Sequence, residues 1–220
     1  ILALRERYGF RLHADAAYGG YFLLADNLDP DTQKAYDRLH EVDSIVIDPH
    51  KHGLQPYGCG CILYRDPAVG TYYKHDSPYT YFTSSELHLG EISLEVSRAG
   101  ASAVALWATH KLLPPVRDGE FALGLSKSRR AALTLFEKMI SDERFRILFP
   151  PELDILVWAL DGKSASQISK QSEAMFLAAA EENLHLATFR YPASLLQDRW
   201  DDVHFDRQDV VCLRSCLMKP

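Results

Sequence analysis

No apolar stretch in this sequence approaches a membrane span. Runs such as residues 103–108 fall far below the roughly 20 residues needed to cross a bilayer. Basic residues do not cluster either: 24 Lys and Arg stand against 30 Asp and Glu, a formal charge of -6, with no basic run. That balance argues against an extended nucleic-acid footprint or an anionic-membrane patch, and favours small-molecule or protein partners. Cysteine is sparse, with four residues. Cys59-Gly-Cys61 lacks zinc-ribbon spacing, Cys212 and Cys216 suggest no secreted disulfide framework, and reduced, packed thiols are expected. His52, His75, His88 and His110 have no spacing that reads as a metal site, so no metal is expected and surface or structural roles are assigned to them. The opening Ile-Leu-Ala-Leu-Arg-Glu has no signal-peptide layout, which points to a cytoplasmic protein.

What is present is ordinary globular material, 47% hydrophobic and 25% charged over 220 residues, enough for one large or two small cores. Residues 10–14 read as a short buried strand that follows a helix end capped by Gly9. Tyr18-Gly19-Gly20 reads as a turn in which glycine permits positive φ or close approach of a ligand. Residues 31–42 predict a helix with Ala35, Leu39 and Val42 inward. The β-branched run 44–47 predicts a fully buried strand, and 60–64 repeats the pattern. Residues 70–90, rich in Tyr, Ser, Thr and His, predict a loop. An alanine-rich helix over 93–113 can pack closely on a neighbour and is ended by Pro114-Pro115. Residues 121–140 carry an amphipathic stripe through Leu125, Ala132, Leu133, Phe136, Met139 and Ile140, a helix suited to linking two lobes. Strand 155–160, helix 164–184, and strands 185–191 and 210–218 then predict a small α+β lobe.

Two motifs carry chemistry. Ser44-Ile-Val-Ile-Asp-Pro-His-Lys-His-Gly53 ends an apolar strand in His50, Lys51 and His52, while His13-Ala-Asp-Ala-Ala-Tyr-Gly-Gly20 places Asp15 at the end of an earlier strand. Taken singly, Asp15 could be a turn-capping aspartate and Lys51 a solvated loop lysine. As a pair they sit at the carboxyl ends of two strands separated by about one βαβ unit, where ligands of open α/β sheets gather. A lysine that can form an imine with an aldehyde, facing a crevice shared with a carboxylate, suits pyridoxal phosphate (PLP) chemistry.

These motifs resemble the group II PLP-dependent amino-acid decarboxylases. Ser93-Leu-Glu-Val-Ser-Arg-Ala-Gly100 is similar to the family's segment after its catalytic loop. The resemblance is strongest over residues 10–115. It implies a fold type I, aspartate-aminotransferase-like α/β structure (PLP-dependent transferase-like). Residues 1–118 would form the second half of the large domain, and residues 119–220 the linking helix and small α+β domain. It also implies decarboxylation of an L-amino acid by a carboxy-lyase in a homodimer. Lys51 would hold pyridoxal 5'-phosphate as a Schiff base, Asp15 would partner the pyridine nitrogen, Ala17 would lie against one ring face, and His50 would approach the phosphate or the imine. Asp48 stands where the family carries Asn or Asp and is given no role. A tyrosine of the covering loop, Tyr79 or its neighbour Tyr81, would return a proton to the substrate, with Tyr79 favoured. Arg98 after that loop could serve the site or only the helix surface.

The resemblance further implies a phosphate-binding segment and a ring-stacking histidine before Asp15, which residues 1–9 cannot supply. An N-terminal half is therefore expected elsewhere, with the chain a fragment, one part of a processed protein or an inactive remnant. A PLP-dependent carbon-carbon lyase of the sphingosine-phosphate lyase kind shares a related histidine-lysine motif and stands as the alternative activity.

Overall fold

A computed structural model describes residues 1–75, 88–92 and 100–218. The chain forms two units, one comprising Ile1–Leu24 with Pro30–Gly119, the other Ala25–Asp29 with Glu120–Pro220. The first opens with helix α1 (Leu2–Tyr8), which Gly9 ends in the left-handed region at φ 68°, its amide donating to the Arg5 carbonyl at 2.8 Å. That matches the expected glycine cap.

Strand β1 (His13–Asp15) pairs in parallel with β2 (Ser44–Ile47), and β3 (Cys61–Tyr64) lies antiparallel on the other side of β2. β1 is shorter than predicted and is not buried. The Leu12 amide donates instead to the Asp43 carboxylate at 2.7 Å, so strand pairing begins only at His13 with Ser44. β2 is half-buried along its length rather than fully buried. The 3-10 turn Gly20–Leu24 lies against it, and a Cβ on Gly20 would come 2.9 Å from Ile47 Cγ1. Gly20 therefore serves the close approach of a side chain of the same fold, not a positive φ.

The connection from β1 to β2 also contains α2 (Pro30–Asp37) and a separate 3-10 turn, Leu39–Glu41. A single helix to Val42 was expected. His40 Nδ1 donates to the Asp37 carbonyl at 2.6 Å, occupying the acceptor that a continuing α-helix would offer to Glu41, and the Glu41 amide turns to Arg38 at 3.0 Å. Proline at the first position and Asp31 in the first turn suit the start of α2.

After β3 come a 3-10 turn (Pro67–Tyr73), α3 (Leu89–Ile92) and α4 (Ala101–Leu112). Of the helix predicted over 93–113, residues 101–112 are helical, and 93–99 lie outside the described residues. No residue of α4 is buried; Val104 is 65% and Trp107 63% exposed. The close packing on a neighbour that its alanine-rich surface allows is not seen within this unit among the described residues.

The second unit is built on an antiparallel sheet of order β4-β5-β7-β6, with β4 (Phe145–Ile147), β5 (Ile155–Leu160), β6 (Ala187–Pro192) and β7 (Asp209–Cys216). Helices α5 (Glu120–Ile140) and α6 (Ala165–Glu181) accompany it. Alternate strand residues face opposite cores. Val157, Ala159, Val210 and Cys212 meet Ala165, Ile168, Leu196 and Trp200 on one side, and Leu156, Trp158 and Leu213 meet Met139, Phe136 and Phe176 on the other. β4 was not predicted, because three residues are too few to show a period. Ile140, placed in the apolar stripe, is 60% exposed at the last position of α5. No described helix is long and apolar enough to cross a membrane.

Candidate active site

The carboxyl ends of β1 and β2 remain joined beyond their last paired residues. The Ala16 amide donates to the Val46 carbonyl and the Asp48 amide to the Ala17 carbonyl, both at 3.1 Å. This extension of the parallel ladder brings the Asp15 turn beside the Asp48-Pro49 corner, from which Lys51 projects. Parallel pairing of the two strands is thus what joins motifs 36 residues apart in sequence.

Asp15 is exposed, and its Oδ1 accepts from the Ala17 amide at 3.2 Å, so the carboxylate braces its own turn and leaves Oδ2 for another partner. Among the described contacts nothing joins Asp15 directly to Lys51. Ala17, whose carbonyl receives the Asp48 amide, is half-buried.

Lys51 sits in a tight turn, its amide donating to the Asp48 carbonyl at 2.9 Å. Its Nζ lies 2.9 Å from Asp48 Oδ2, and the side chain is 33% exposed, so the amine is held yet reachable. His50 Nδ1 is 2.8 Å from the Cys59 carbonyl. A carbonyl only accepts, so that nitrogen carries a proton, and Nε2 is left 3.7 Å from Asp48 Oδ2. Asp48 therefore faces both the lysine and the histidine. It had been given no role; its i,i+3 spacing from Lys51 in a turn was the available signal.

The turn is backed by close packing. A Cβ on Gly53 would lie 2.6 Å from Pro49 Cα and 2.7 Å from the Tyr21 hydroxyl. Burial, with smaller contributions from Cys61 and Cys59, pushes the Tyr21 phenol up to about 12. Burial raises the Cys59 thiol as well, helped by the Asp48 carboxylate, and it stays protonated and unreactive at neutral pH. Cys59 packs as expected and all four cysteines are free, but Cys216 is exposed rather than packed. Gln55, also unanticipated, is buried and donates from Nε2 to the Gly53 carbonyl at 3.2 Å and to Thr109 Oγ1 at 2.7 Å, tying α4 to the turn. That contact spans 54 residues and has no local sequence signal. Tyr79, Tyr81 and Arg98 lie outside the described residues.

The pyridoxal-dependent decarboxylase conserved domain matches residues 1–160. The chain belongs to this family. Among its relatives, an L-tyrosine decarboxylase of Enterococcus faecium is 33% identical over 148 residues, covering 52% of this chain and 24% of that protein. A probable L-tyrosine/L-aspartate decarboxylase of Methanosphaera stadtmanae is 28% identical over 175 residues, covering 79% of this chain and 43% of the relative. The chain therefore spans less than half the length of these curated relatives. In fold it is similar to mouse CSAD in apo form, with a TM-score of 0.74 at 16% identity over 99% of this chain and 43% of the other. Oryza sativa TDC, solved with PLP and tryptamine, gives 0.73 at 17% identity with the same coverage. The fold is accordingly the type I fold of the pyridoxal-dependent decarboxylase family, as the two motifs implied.

Proposed function

We propose that this chain carries the lysine-bearing part of a PLP-dependent L-amino-acid decarboxylase. The carrying observation is the geometry at the ends of the parallel strands: a reachable lysine amine, a carboxylate at the end of the neighbouring strand, and the Ala17 carbonyl joining their two turns through the Asp48 amide. These residues fit the cofactor. Pyridoxal phosphate supplies an aldehyde for a lysine amine and a pyridine ring that draws electrons from the substrate α-carbon as carbon dioxide departs.

On this reading Lys51 Nζ is the amine that would hold the cofactor. Asp15, through the oxygen not engaged with the Ala17 amide, would hold a proton on the ring nitrogen. Ala17 would leave room for a flat ring, and His50, with Nδ1 committed to the Cys59 carbonyl, has Nε2 3.7 Å from the Asp48 carboxylate that also pairs with the lysine, and would approach the phosphate or the imine. Tyr79, outside the described residues, is assigned to return a proton to the substrate α-carbon, with Tyr81 as its competitor. We assign residues 1–118 to the second half of the large domain and 119–220 to the linking helix and small domain, acting in a cytoplasmic homodimer with an N-terminal half that supplies the phosphate contacts. The tyrosine and aspartate named for the relatives are the first substrates to test.

The test is direct. Purified protein is incubated with PLP, reduced with borohydride, digested and mapped, and carbon dioxide release is followed from carboxyl-labelled L-tyrosine and L-aspartate. A pyridoxyl group on Lys51, lost in Lys51→Ala, is expected. Labelling of a different lysine would remove Lys51 from its role, and aldehyde formed by carbon-carbon cleavage without carbon dioxide would replace decarboxylation with the lyase activity.

A further inference from the structure

His52, the residue after the lysine, is 4% exposed and packs against Tyr18 and Phe22. Its Nδ1 is 2.9 Å from the Tyr18 carbonyl. Because a carbonyl only accepts, Nδ1 is the protonated nitrogen of the ring. The imidazole also meets the Tyr18 ring at 4.6 Å and the Phe22 ring at 4.9 Å, both edge to face. These contacts fix its plane as well as its position.

The Asp15 turn is thereby attached to the Lys51 turn twice. The Ala17 carbonyl receives the Asp48 amide three residues before the lysine, and the Tyr18 carbonyl receives the His52 side chain one residue after it. Lys51 is bracketed by these two bonds, and Gly53 beyond them packs so close to Pro49 that an added Cβ would lie 2.6 Å from Pro49 Cα. We propose that His52 is a positioning residue: through its Nδ1 bond to Tyr18 it sets the placement of Lys51 against the Asp15 turn. The inference rests on the cofactor reading for its consequence in catalysis, but the bond itself is testable without cofactor.

The experiment is competitive acetylation with trace acetic anhydride, read lysine by lysine by mass spectrometry, on the purified protein and on His52→Leu, His52→Asn and His52→Gln. Lys163, whose side chain is 78% exposed in the other unit, serves as the internal reference. Loss of one buried hydrogen bond frees Lys51 from its held position, and His52→Leu should raise the ratio of Lys51 to Lys163 labelling by about fivefold. Asn carries its amide nitrogen at the position of Nδ1 and should restore the ratio, whereas Gln places it at the position of Nε2 and should behave as Leu does. Equal ratios in all four proteins would overturn the proposal, as would Gln matching the wild type while Asn did not. If His52→Leu fails to fold, the comparison of Asn with Gln decides. In a parallel arm with PLP and borohydride, a wild-type protein that gains no pyridoxyl group on Lys51 removes the cofactor reading while the acetylation ratios still judge the tie. If it does gain the group, slower loading in His52→Leu and Gln but not in Asn is expected.

Discussion

Lys51 Nζ and Asp48 Oδ2 lie 2.9 Å apart across a single turn, and the same carboxylate is 3.7 Å from His50 Nε2. The nucleophile is the neutral amine, which carries no charge to pair with the Asp48 carboxylate, so imine formation gives up this ion pair. A partly exposed ion pair of this kind is worth up to about 1 kcal/mol, so Asp48→Asn should speed imine formation with added PLP by roughly threefold. The rate is read by borohydride quenching at intervals. An unchanged rate would show that opening the pair does not limit access to Lys51.

Asp15→Asn separates the shape of the Asp15 turn from its charge. The amide oxygen of Asn can still accept from the Ala17 amide, as Asp15 Oδ1 does at 3.2 Å, so the turn should persist. What is lost is the acid proposed to hold a proton on the ring nitrogen. The expected outcome is retained borohydride trapping on Lys51 with carbon dioxide release reduced by about a hundredfold, within the usual range for removing a proton-holding group. Full turnover in the variant would remove Asp15 from its assigned role.

Gly53→Ala tests how tightly the lysine turn is packed. The added methyl would meet Pro49 Cα at 2.6 Å and Pro49 Cβ at 2.8 Å, atoms of a ring that cannot rotate away. Overpacking of this kind costs about 1–3 kcal/mol, and the urea midpoint should fall accordingly. Gly20→Ala meets only the flexible side chain of Ile47 and should cost less. Equal losses in the two variants would mean that the turn can relax around Pro49.

Much of this site was legible in sequence because its chemistry is local to two short motifs. The apolar run 44–47 announced β2, and the placement of Asp15 and Lys51 at strand ends followed from the strands. What holds those residues was not legible. His52 reaches Tyr18 over 34 positions and Gln55 reaches Thr109 over 54, and such contacts depend on how the chain returns upon itself. The break of α2 was hidden for a related reason: Leu39 and Val42 keep a helical period, but the His40 side chain takes the carbonyl that the helix needed. In the second unit, helix periods survived in α5 and α6, while the three residues of β4 offered too little pattern to recognise.

Ser169 in α6 has a role that its small size conceals. It is fully buried, donates from Oγ to the Ala165 carbonyl at 2.7 Å and accepts from the Val211 amide at 3.0 Å. Helix and strand are thus joined through one hydroxyl. Ser169→Ala leaves the Val211 amide without an acceptor in a dry interior, which should cost about 1–3 kcal/mol by urea unfolding. Ser166→Ala at the exposed start of the same helix gives the comparison, since water can replace its bond to Asp206. Equal costs would show that Val211 finds another acceptor.

Arg146 supplies a pH-dependent contribution whose sign can be worked out. Its guanidinium grips Asp202 at 2.8 and 2.7 Å, reaches Asp161 at 2.6 Å, and stacks over Trp200 with its side chain only 13% exposed. The Asp202 carboxyl is thereby lowered from its ordinary 3.8 to about 2, chiefly by that hydrogen-bonded pair. Since the folded value lies below the unfolded one, the stabilisation is complete above about pH 4 and is lost as pH falls toward 2. Arg146→Gln removes it at neutral pH, so the variant should be the less stable by urea unfolding near pH 7. The gap between variant and wild type should narrow as both are taken toward pH 2, where wild-type Asp202 is itself protonated. A gap that stays constant over that range would assign the contribution of Arg146 to its packing on Trp200 instead of to its charge.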